Sequence, residues 1–273
     1  MASIITLTTD FGLADSYVGA MKGVILGINR EATIVDVTHG VPPGDVLHGA
    51  YVLSTAFSSF PKGTVHVAVV DPGVGTERRG LAIEHEGHVF VGPDNGLFSL
   101  VLSPPSRADS GEDGTFEGGL PPGARAVELA DSSYHLPDVS ATFHGRDVFA
   151  PVAAHLSAGV ALDRLGPAVI SVRYLSLAAP EALEGGSARG VVIHIDIFGN
   201  AVTSLRREDL VDEPLSIEIA GRTITGLSAT YAEGPDLLAL FGSSGLLEIA
   251  VRDGSAAALL SLKRGQTVTV RKG

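Results

Sequence analysis

The sequence predicts an α/β protein of two parts: a Rossmann-like N-terminal domain, with a mostly parallel sheet sandwiched by helices, and a C-terminal antiparallel β-barrel or sandwich. Two observations predict this division. Short β-branched runs alternate with amphipathic helical patterns in the first part of the chain, whereas the hydrophobic period becomes two beyond residue 188. Between them, residues 176–188 are rich in Ala, Pro, Glu and Gly, which is typical of a linker. We therefore expect domains over residues 1–175 and 189–273.

In the N-terminal part, apolar β-branched runs predict strands, and apolar residues spaced by three or four predict helices. Asp15 and Ser16 have the chemistry of a helix start. The predicted strands lie at 4–9, 33–37, 67–70, 80–86 and 88–91, and the predicted helices at 15–28, 45–60, 97–102 and 143–158. Strand–helix alternation implies parallel strands with right-handed crossovers. Residues 103–123, rich in Gly, Pro, Ser and acidic residues, are predicted to form a mobile surface loop.

The C-terminal part shows two-residue alternation between turn signals, which is typical of antiparallel strands. The predicted strands lie at 191–197, 215–219, 223–225, 246–251 and 267–270.

Composition narrows the classes of function. The chain of 273 residues is 45% hydrophobic and 18% charged, which predicts sizeable cores. Its formal net charge of −12 argues against a nucleic acid or an anionic membrane as partner. The absence of cysteine excludes thiolate nucleophiles and thiolate metal sites. The N-terminus resembles no signal peptide and no run is long enough to span a bilayer, so we expect a cytoplasmic protein without membrane partners.

Carboxylates follow two of the predicted buried strands. Asp10 follows the first strand, and Asp71 precedes Pro72 and Gly73, which end the strand at 67–70. Arg78 comes within the same loop. The carboxyl ends of parallel strands are where ligands bind in open α/β sheets, so these residues predict a site there. Together with His144, Asp71 and Arg78 could hold a water molecule or perform acid–base chemistry.

Other interpretations of these residues remain open at this point. Each carboxylate could be a helix cap or a turn former, and Asp71 with Arg78 could be a surface salt bridge. A metal site is a further alternative, because four potential ligands lie close in sequence: Asp36, His39, Asp45 and His48. Their spacing is not that of helical metal ligands. A serine hydrolase is disfavoured because the sequence has no Gly-x-Ser-x-Gly elbow.

Four motifs, in this order, carry a family resemblance: residues 8–12 (Thr-Thr-Asp-Phe-Gly), 71–78 (Asp-Pro-Gly-Val-Gly-Thr-Glu-Arg), 143–147 (Phe-His-Gly-Arg-Asp) and 198–200 (Phe-Gly-Asn). Together they resemble the S-adenosylmethionine hydroxide adenosyltransferases, and the resemblance covers nearly the whole chain. That family hydrolyses S-adenosylmethionine to adenosine and methionine, and is related to fluorinases and chlorinases. The fluorinase has a tryptophan where this chain has Gly44, and this chain has no tryptophan at all.

The resemblance implies a role for each candidate residue. Asp71, Arg78 and His144 would position and activate water, with His144 accepting or relaying the proton that water loses. Asp10 would bind the ribose diol, and Asp15 and Asp196 the methionine ammonium group. Phe198 would stack on adenine and Asn200 would bind its edge. Ser243 and Ser244 match the segment that meets the methionine carboxylate in relatives.

The resemblance also implies S-adenosylmethionine as the substrate, with adenosine and methionine as the products. Because the sulfonium leaves as a neutral thioether, we expect no metal and no cofactor. It implies a homotrimer in which the pocket lies between one chain's first domain and a neighbour's β domain. Two other functions stay open: a non-catalytic sensor of S-adenosylmethionine or adenosine, and a metal-dependent nucleotide phosphohydrolase.

Overall fold

The computed structural model describes residues 3–103, 114–178, 180–210 and 215–272. The chain forms two compact units, Met1–Ser176 and Leu177–Gly273. The strands of the first unit are β1 (Ile4–Thr9), β2 (Thr33–Thr38), β3 (Val65–Val69), β4 (Gly80–His85), β5 (His88–Pro93), β6 (Thr115–Gly119), β7 (Arg125–Glu128), β8 (Ala168–Val169) and β9 (Ser171–Leu175). Its helices are α1 (Tyr17–Ile28), α2 (Val46–Ala56), α3 (Ser99–Leu102) and α4 (Ala150–Ser157).

The main sheet of the first unit has seven strands in the order β2-β1-β3-β5-β4-β7-β8. Strands β2, β1, β3 and β5 pair in parallel, and β4, β7 and β8 are added antiparallel to their neighbours. The predicted α/β fold with parallel strands is therefore confirmed, and the sheet is mixed, because three of its six strand pairings are antiparallel. The parallel strands matter for function, because β1 and β3 are direct neighbours whose carboxyl ends meet at one edge.

Both faces of the sheet are covered by helices. In β3, Val65, Val67 and Val69 belong to a core that includes residues of α1 and α4, whereas Ala68 belongs to a core with residues of α2 and α3. Successive residues of a strand point to opposite faces, so the two cores lie on the two sides of the sheet. Helix α1 has one apolar side, where Val18, Met21 and Ile25 recur at helical spacing. These three residues are buried.

The prediction of a loop at 103–123 is wrong for part of that range. Residues 104–113 lie outside the described residues, but Thr115–Gly119 form strand β6, which pairs antiparallel with β9. The partner strand lies some fifty residues later in the chain, and Phe116 is buried against the Tyr174 ring at 5.5 Å between centroids. A strand stabilised by so distant a partner shows little local periodicity, which is why the composition suggested a loop.

The second unit is built from antiparallel strands, as predicted. They are β10 (Glu181–Leu183), β11 (Ser187–Ile195), β12 (Ala201–Arg206), β13 (Leu215–Ile219), β14 (Arg222–Thr225), β15 (Leu237–Phe241), β16 (Leu246–Val251) and β17 (Thr267–Lys272), with the short helix α5 (Ala256–Leu260). The order is β14-β13-β17-β11-β12-β16-β15, and β10 pairs with β11. Strands β12 and β15 were missed by the sequence analysis, and β10 lies within the predicted linker. Among the described residues, no helix is long and apolar enough to cross a membrane.

Candidate active site

A cavity of about 300 Å³ opens at the carboxyl edge of the main sheet in the first unit. Asp10 follows β1 directly, and Asp71 comes two residues after the end of β3. Because the two strands are parallel neighbours, both carboxylates reach this edge. The cavity lining includes Asp10, Phe11, Tyr17, Asp71, Phe143 and His144. The first-unit residues predicted at the reaction centre thus come together in space.

Asp71, Arg78 and His144 form one connected group. The Arg78 Nε donates to both carboxylate oxygens of Asp71 at 3.0 Å, and its Nη2 donates to Asp71 Oδ2. The same Nη2 lies 3.0 Å from His144 Nδ1. The side chains of Arg78 and Asp71 are only 11% and 4% exposed. This shielding makes the ion pair a fixed part of the site, because losing either partner would leave a charge poorly solvated.

The loop between β3 and β4 brings Arg78 back to Asp71. Asp71-Pro72-Gly73 ends the strand, and Thr76 Oγ1 donates to the Gly73 carbonyl at 2.7 Å. Gly75 has φ +79°, a left-handed conformation that favours glycine, and a Cβ there would lie 2.3 Å from the Ala141 carbonyl oxygen. The guanidinium of Arg78 also lies over the Phe149 ring, 5.2 Å from its centroid. Local turn chemistry and packing therefore fix the arginine.

The protonation state of His144 follows from its neighbours. Burial lowers the pKa of His144, and Arg78 lowers it further, while Asp71 and Asp147 act in the opposite direction. The pKa lies below its usual value, so the ring is neutral near pH 7. Since a guanidinium can only donate, Nδ1 must be the acceptor of the bond from Arg78. The proton of the neutral ring is therefore on Nε2.

Asp10 is held by the backbone of the next loop. Its Oδ2 accepts a hydrogen bond from the Gly44 N–H at 2.7 Å. The preceding residue, Thr9, is braced through its hydroxyl, which lies 2.8 Å from the His39 Nδ1 and accepts from the Phe11 N–H at 3.2 Å. These contacts place the Asp10 carboxylate at the cavity with Oδ1 left for other partners.

The proposed metal ligands have structural roles instead. His39 Nε2 lies 3.1 Å from Asp36 Oδ1, and Asp36 is paired with Lys22 at 2.6 Å. Asp45 caps α2 by accepting from the His48 N–H at 3.1 Å. Within the described ranges, no three His, Cys, Asp or Glu residues cluster in a way that could hold a metal ion.

An aromatic wall beside the carboxylates was not singled out as functional by the sequence analysis. The rings of Phe11 and Tyr17 contact Phe143 with centroids 5.7 and 5.1 Å apart. All three residues line the cavity. Phe11 and Phe143 are direct neighbours of the predicted residues Asp10 and His144, and that adjacency was the available signal.

The second unit carries a separate pocket of about 730 Å³. Its lining includes Asp196, Phe198, Asn200 and Tyr231. Phe198 is 74% exposed, so its ring face is open to a planar partner. Asp196 is occupied by its own turn, since Oδ1 accepts from the N–H groups of Phe198 and Asn200, and Oδ2 accepts from the Asn200 side chain at 2.9 Å. The Asn200 amide oxygen takes part in none of these bonds.

The remaining predicted residues lie in turns. Asp15 is exposed in the turn before α1. Ser243 is exposed and Ser244 half-buried in the turn between β15 and β16, and the Ser244 hydroxyl oxygen is buried with no hydrogen-bond partner in the part of the chain that the structure describes. The structure therefore places Asp10, Asp71, Arg78 and His144 together, Asp196, Phe198 and Asn200 together, and Asp15, Ser243 and Ser244 in turns of their own units.

Comparison with known proteins identifies the family of the chain. Residues 5–166 match the family described as SAM hydroxide adenosyltransferase N-terminal domain, and residues 190–269 match its C-terminal domain. The chain belongs to the SAM hydroxide adenosyltransferase family. The two matches cover most of the chain, one in each compact unit.

Relatives in this family align with the chain over nearly its full length. The (R)-S-adenosyl-L-methionine hydrolase of Thermus thermophilus is 42% identical, covering 95% of this chain and 96% of the relative. The protein of the same name from Salinispora arenicola is 40% identical, covering 98% of both. A fluorinase from an Actinoplanes species is more distant at 29%, covering 98% of this chain and 97% of the relative.

A solved structure shows the same fold. The crystal structure of an uncharacterized conserved protein from Thermotoga maritima is similar with a TM-score of 0.84 and 34% identity, covering 98% of this chain and all of the other. The family expected from the four sequence motifs and the α/β fold expected from the hydrophobic periodicity are thus confirmed.

Proposed function

We propose that this chain is a hydrolase that converts S-adenosylmethionine to adenosine and methionine by attack of water on C5′ of the ribose. The observation that carries the proposal is that Asp10, Asp71 and His144 line one cavity and that Arg78 bonds both Asp71 and His144 behind it. The names of the relatives, (R)-S-adenosyl-L-methionine hydrolase, support the same substrate and reaction. A binding protein alone would have no need of a buried arginine held between a carboxylate and a histidine.

The reaction is a single displacement. The bond between water oxygen and C5′ forms while the bond between C5′ and sulfur breaks, and the electron pair goes to sulfur, which leaves as the neutral thioether of methionine. One proton is released from the attacking water. Because the sulfonium is already a good leaving group, no general acid is needed, and the task of the protein is to align water and exclude competing solvent.

The hydrogen bonds around His144 favour a particular role for it. With Nδ1 accepting from Arg78, the ring presents Nε2–H as a donor. We propose that His144 and Arg78 hold the attacking oxygen by donating to it, which favours its hydroxide character, while Asp71 fixes Arg78. The proton then passes to solvent. This geometry favours donation over the proton acceptance expected from the sequence.

The substrate-binding roles remain proposals supported by placement. Asp10 would bind the ribose diol through Oδ1, because Oδ2 is taken by Gly44. Phe198 would stack on adenine and Asn200 would meet its edge. Asp15 and Asp196 would face the methionine ammonium, and Ser243 with Ser244 its carboxylate. For Asp196 this requires exchange of hydrogen bonds that its own turn now uses.

We also propose a homotrimer in which each reaction site combines the first unit of one chain with the second unit of a neighbour. The diol and water residues lie in the first unit and the exposed Phe198 lies in the second. A cytoplasmic location and independence from cofactors complete the proposal, both on the basis of the sequence.

Turnover in oxygen-18 water tests the reaction. Each sulfonium epimer of S-adenosylmethionine is supplied separately, because the relatives' names specify the (R) form. The label is expected in the 5′-hydroxyl of adenosine, detected by mass spectrometry, with none in methionine. Unlabelled adenosine, or free adenine as the product, would contradict attack at C5′. Binding without turnover would favour the sensor, and activity abolished by a chelator would favour the phosphohydrolase.

Arg78→Lys provides the matched test of the group. A lysine cannot reproduce the two-oxygen contact with Asp71 and the bond to His144 at once, so turnover is expected to fall about 10²–10⁴-fold. Arg125→Lys, which alters an exposed pair with Glu84, serves as the control and should leave turnover unchanged.

A further inference from the structure

Asp147 is a fully buried carboxylate outside the reaction group. Its Oδ2 accepts from the Ser140 N–H at 2.9 Å and from the Ser140 hydroxyl at 2.7 Å, and its Oδ1 accepts from Arg146 Nε at 2.6 Å. Burial by itself raises the pKa of Asp147, but the hydrogen bonds from Arg146 and Ser140 outweigh it and lower the pKa. Asp147 is therefore a buried anion satisfied by three donors.

Both sets of bonds lead to Phe143, the neighbour of His144. The Ser140 hydroxyl oxygen, which contacts Asp147, also accepts from the Phe143 N–H at 3.1 Å. The Arg146 guanidinium, held by Asp147, lies over the Phe143 ring at 5.0 Å from its centroid. The Asp147 carboxylate thus links the two ends of the segment 140–147 by hydrogen bonds. Phe143 and His144 of this segment line the cavity.

The backbone that follows His144 is an unusual one. Residues Gly145–Phe149 form a π-helical turn, which continues into α4. Such turns are rare and are frequently found at functional sites, because they are retained only where side chains and packing hold them. Asp147 lies in the middle of this turn. A Cβ on Gly145 would lie 3.2–3.3 Å from the rings of Phe11 and Phe143, so the turn is also tightly packed against the cavity wall.

We propose that Asp147 is a positioning residue for the hydrolysis: its carboxylate holds the 140–147 segment so that His144 keeps the orientation in which Nδ1 accepts from Arg78. This rests on the function proposed above. Asp147 does not line the cavity. Its contribution therefore runs through His144 and Phe143, and substrate affinity should depend on it far less than turnover.

Asp147 also contributes electrostatically. The charged and titratable groups that act on His144 are Arg78, Asp71, Asp147 and His135. Of these, Asp71 and Asp147 oppose the effects of burial and of Arg78 on the pKa of His144. Protonation of His144 would place a proton on Nδ1 against the donor Arg78, so activity should be lost as the pH falls through the pKa of His144. Removing the charge of Asp147 should move that loss to lower pH.

Asp147→Asn is the test, with kcat and KM measured between pH 4 and 9. At the pH optimum we expect kcat to fall at least about tenfold, while KM stays within about threefold. The acid limb of the kcat profile should move to lower pH, because the Asp147 charge raises the pKa of His144 and its removal takes that effect away. A residue that served stability alone would lower the melting temperature but leave the acid limb where it is.

Two further variants separate the explanations. Ser140→Ala keeps the charge and removes one anchor, so it should lower kcat without moving the acid limb. Glu84→Gln removes a carboxylate from an exposed arginine pair far along the sheet, and should change neither quantity. If Asp147→Asn fails to fold, Ser140→Ala decides the positioning role, and wild-type kcat in that variant would overturn it.

A measurement independent of turnover keeps the two proposals distinguishable. The pKa of His144 is measured by NMR, from the chemical shift of a carbon-bound ring proton against pH, in the wild-type protein and in Asp147→Asn. The signal is assigned by its disappearance in His144→Gln. We expect a lower pKa for His144 in Asp147→Asn. Absence of turnover in the wild-type protein would refute the proposed function, whereas an unchanged His144 pKa together with wild-type kcat in Asp147→Asn would overturn the role of Asp147.

Discussion

At the scale of single residues, two polar side chains of the first-unit cavity, Asp10 and His144, each use one polar atom to bond the protein and have a second one outside those bonds. Asp10 Oδ2 accepts a hydrogen bond from the Gly44 N–H, and His144 Nδ1 accepts one from Arg78. The atoms outside these bonds are Asp10 Oδ1 and His144 Nε2. This arrangement orients the free atoms before any ligand arrives, which lowers the entropy cost of binding and alignment.

Asp10→Ala tests the diol role. A carboxylate hydrogen-bonded to a hydroxyl contributes about 1.5–3 kcal/mol, so adenosine affinity is expected to fall at least about tenfold. Isothermal titration calorimetry measures it. Asp10→Asn is the control, because its amide oxygen can still accept from Gly44, and it should lose less affinity than the alanine variant. An unchanged dissociation constant in Asp10→Ala would show that Asp10 does not bind the diol and only ends the strand.

At the scale of elements, two loops depend on each other for the reaction group. The β3–β4 loop carries Asp71 and Arg78, and the 140–147 segment carries His144. They touch where Gly75 faces the Ala141 carbonyl oxygen. A side chain at Gly75 would therefore disturb both loops at once, although neither Gly75 nor Ala141 is part of the reaction group.

Gly75→Ala is expected to destabilise the protein and to slow turnover. The left-handed φ of +79° costs about 1 kcal/mol for a non-glycine residue, and the contact with Ala141 adds to it. Gly63→Ala is the matched control, because Gly63 has φ +88° but open space around its Cβ position. Chemical denaturation and kcat should show a larger loss for Gly75→Ala. Equal losses in both variants would show that the contact with Ala141 is unimportant.

At the scale of the whole molecule, the edge of the sheet opposite the cavity contains a buried histidine pair. His66 and His88 are buried with 3.1 Å between Nε2 and Nδ1, and His66 Nδ1 lies 2.8 Å from the Thr6 hydroxyl. Burial, with a smaller effect of His88, lowers the pKa of His66 to about 3. The first unit therefore folds around a neutral ring that the unfolded chain would protonate near pH 6.5.

This histidine predicts loss of stability in acid. Because the folded pKa is depressed, the free energy of unfolding is unaffected above pH 6.5 and falls as the pH drops from 6.5 towards about 3, by roughly 1.4 kcal/mol per pH unit for His66 alone. Urea unfolding at pH 7.5, 6, 5 and 4 measures it. His66→Gln removes the titration and should flatten the pH dependence. An equally steep decline in that variant would assign the acid sensitivity to other groups.

The proposed assembly predicts complementation between two inactive variants. Arg78→Lys damages the first unit and Phe198→Ala the second. If a site combines units from two chains, trimers assembled from an equal mixture regain activity at up to about one quarter of their sites by random assortment. Each variant is unfolded and refolded alone as a control. An inactive mixed trimer, or a fully active monomer by light scattering, would contradict sites shared between chains.

The sequence by itself determined the features that rest on local patterns. Alternating strands and helices predicted a mostly parallel sheet, and Asp10 and Asp71 followed strands whose ends meet at the sheet edge. Arg78 lies seven residues after Asp71, close enough for one turn to bring them together. The four motifs indicated the family, and the comparisons then confirmed it. Periodicity and turn chemistry act over a few residues, so they can be read without the fold.

The tertiary structure decided what depends on distant partners. His144 lies 66 residues from Arg78, and only the fold shows that Nδ1 is the atom that accepts, which sets the tautomer. Thr115–Gly119 became a strand because Ser171–Leu175 pairs with it, against its loop-like composition. Asp147 became an internal anchor because the π-helical turn buries it beside Ser140. Burial and pairing across the chain determine these outcomes, and no local stretch of sequence contains them.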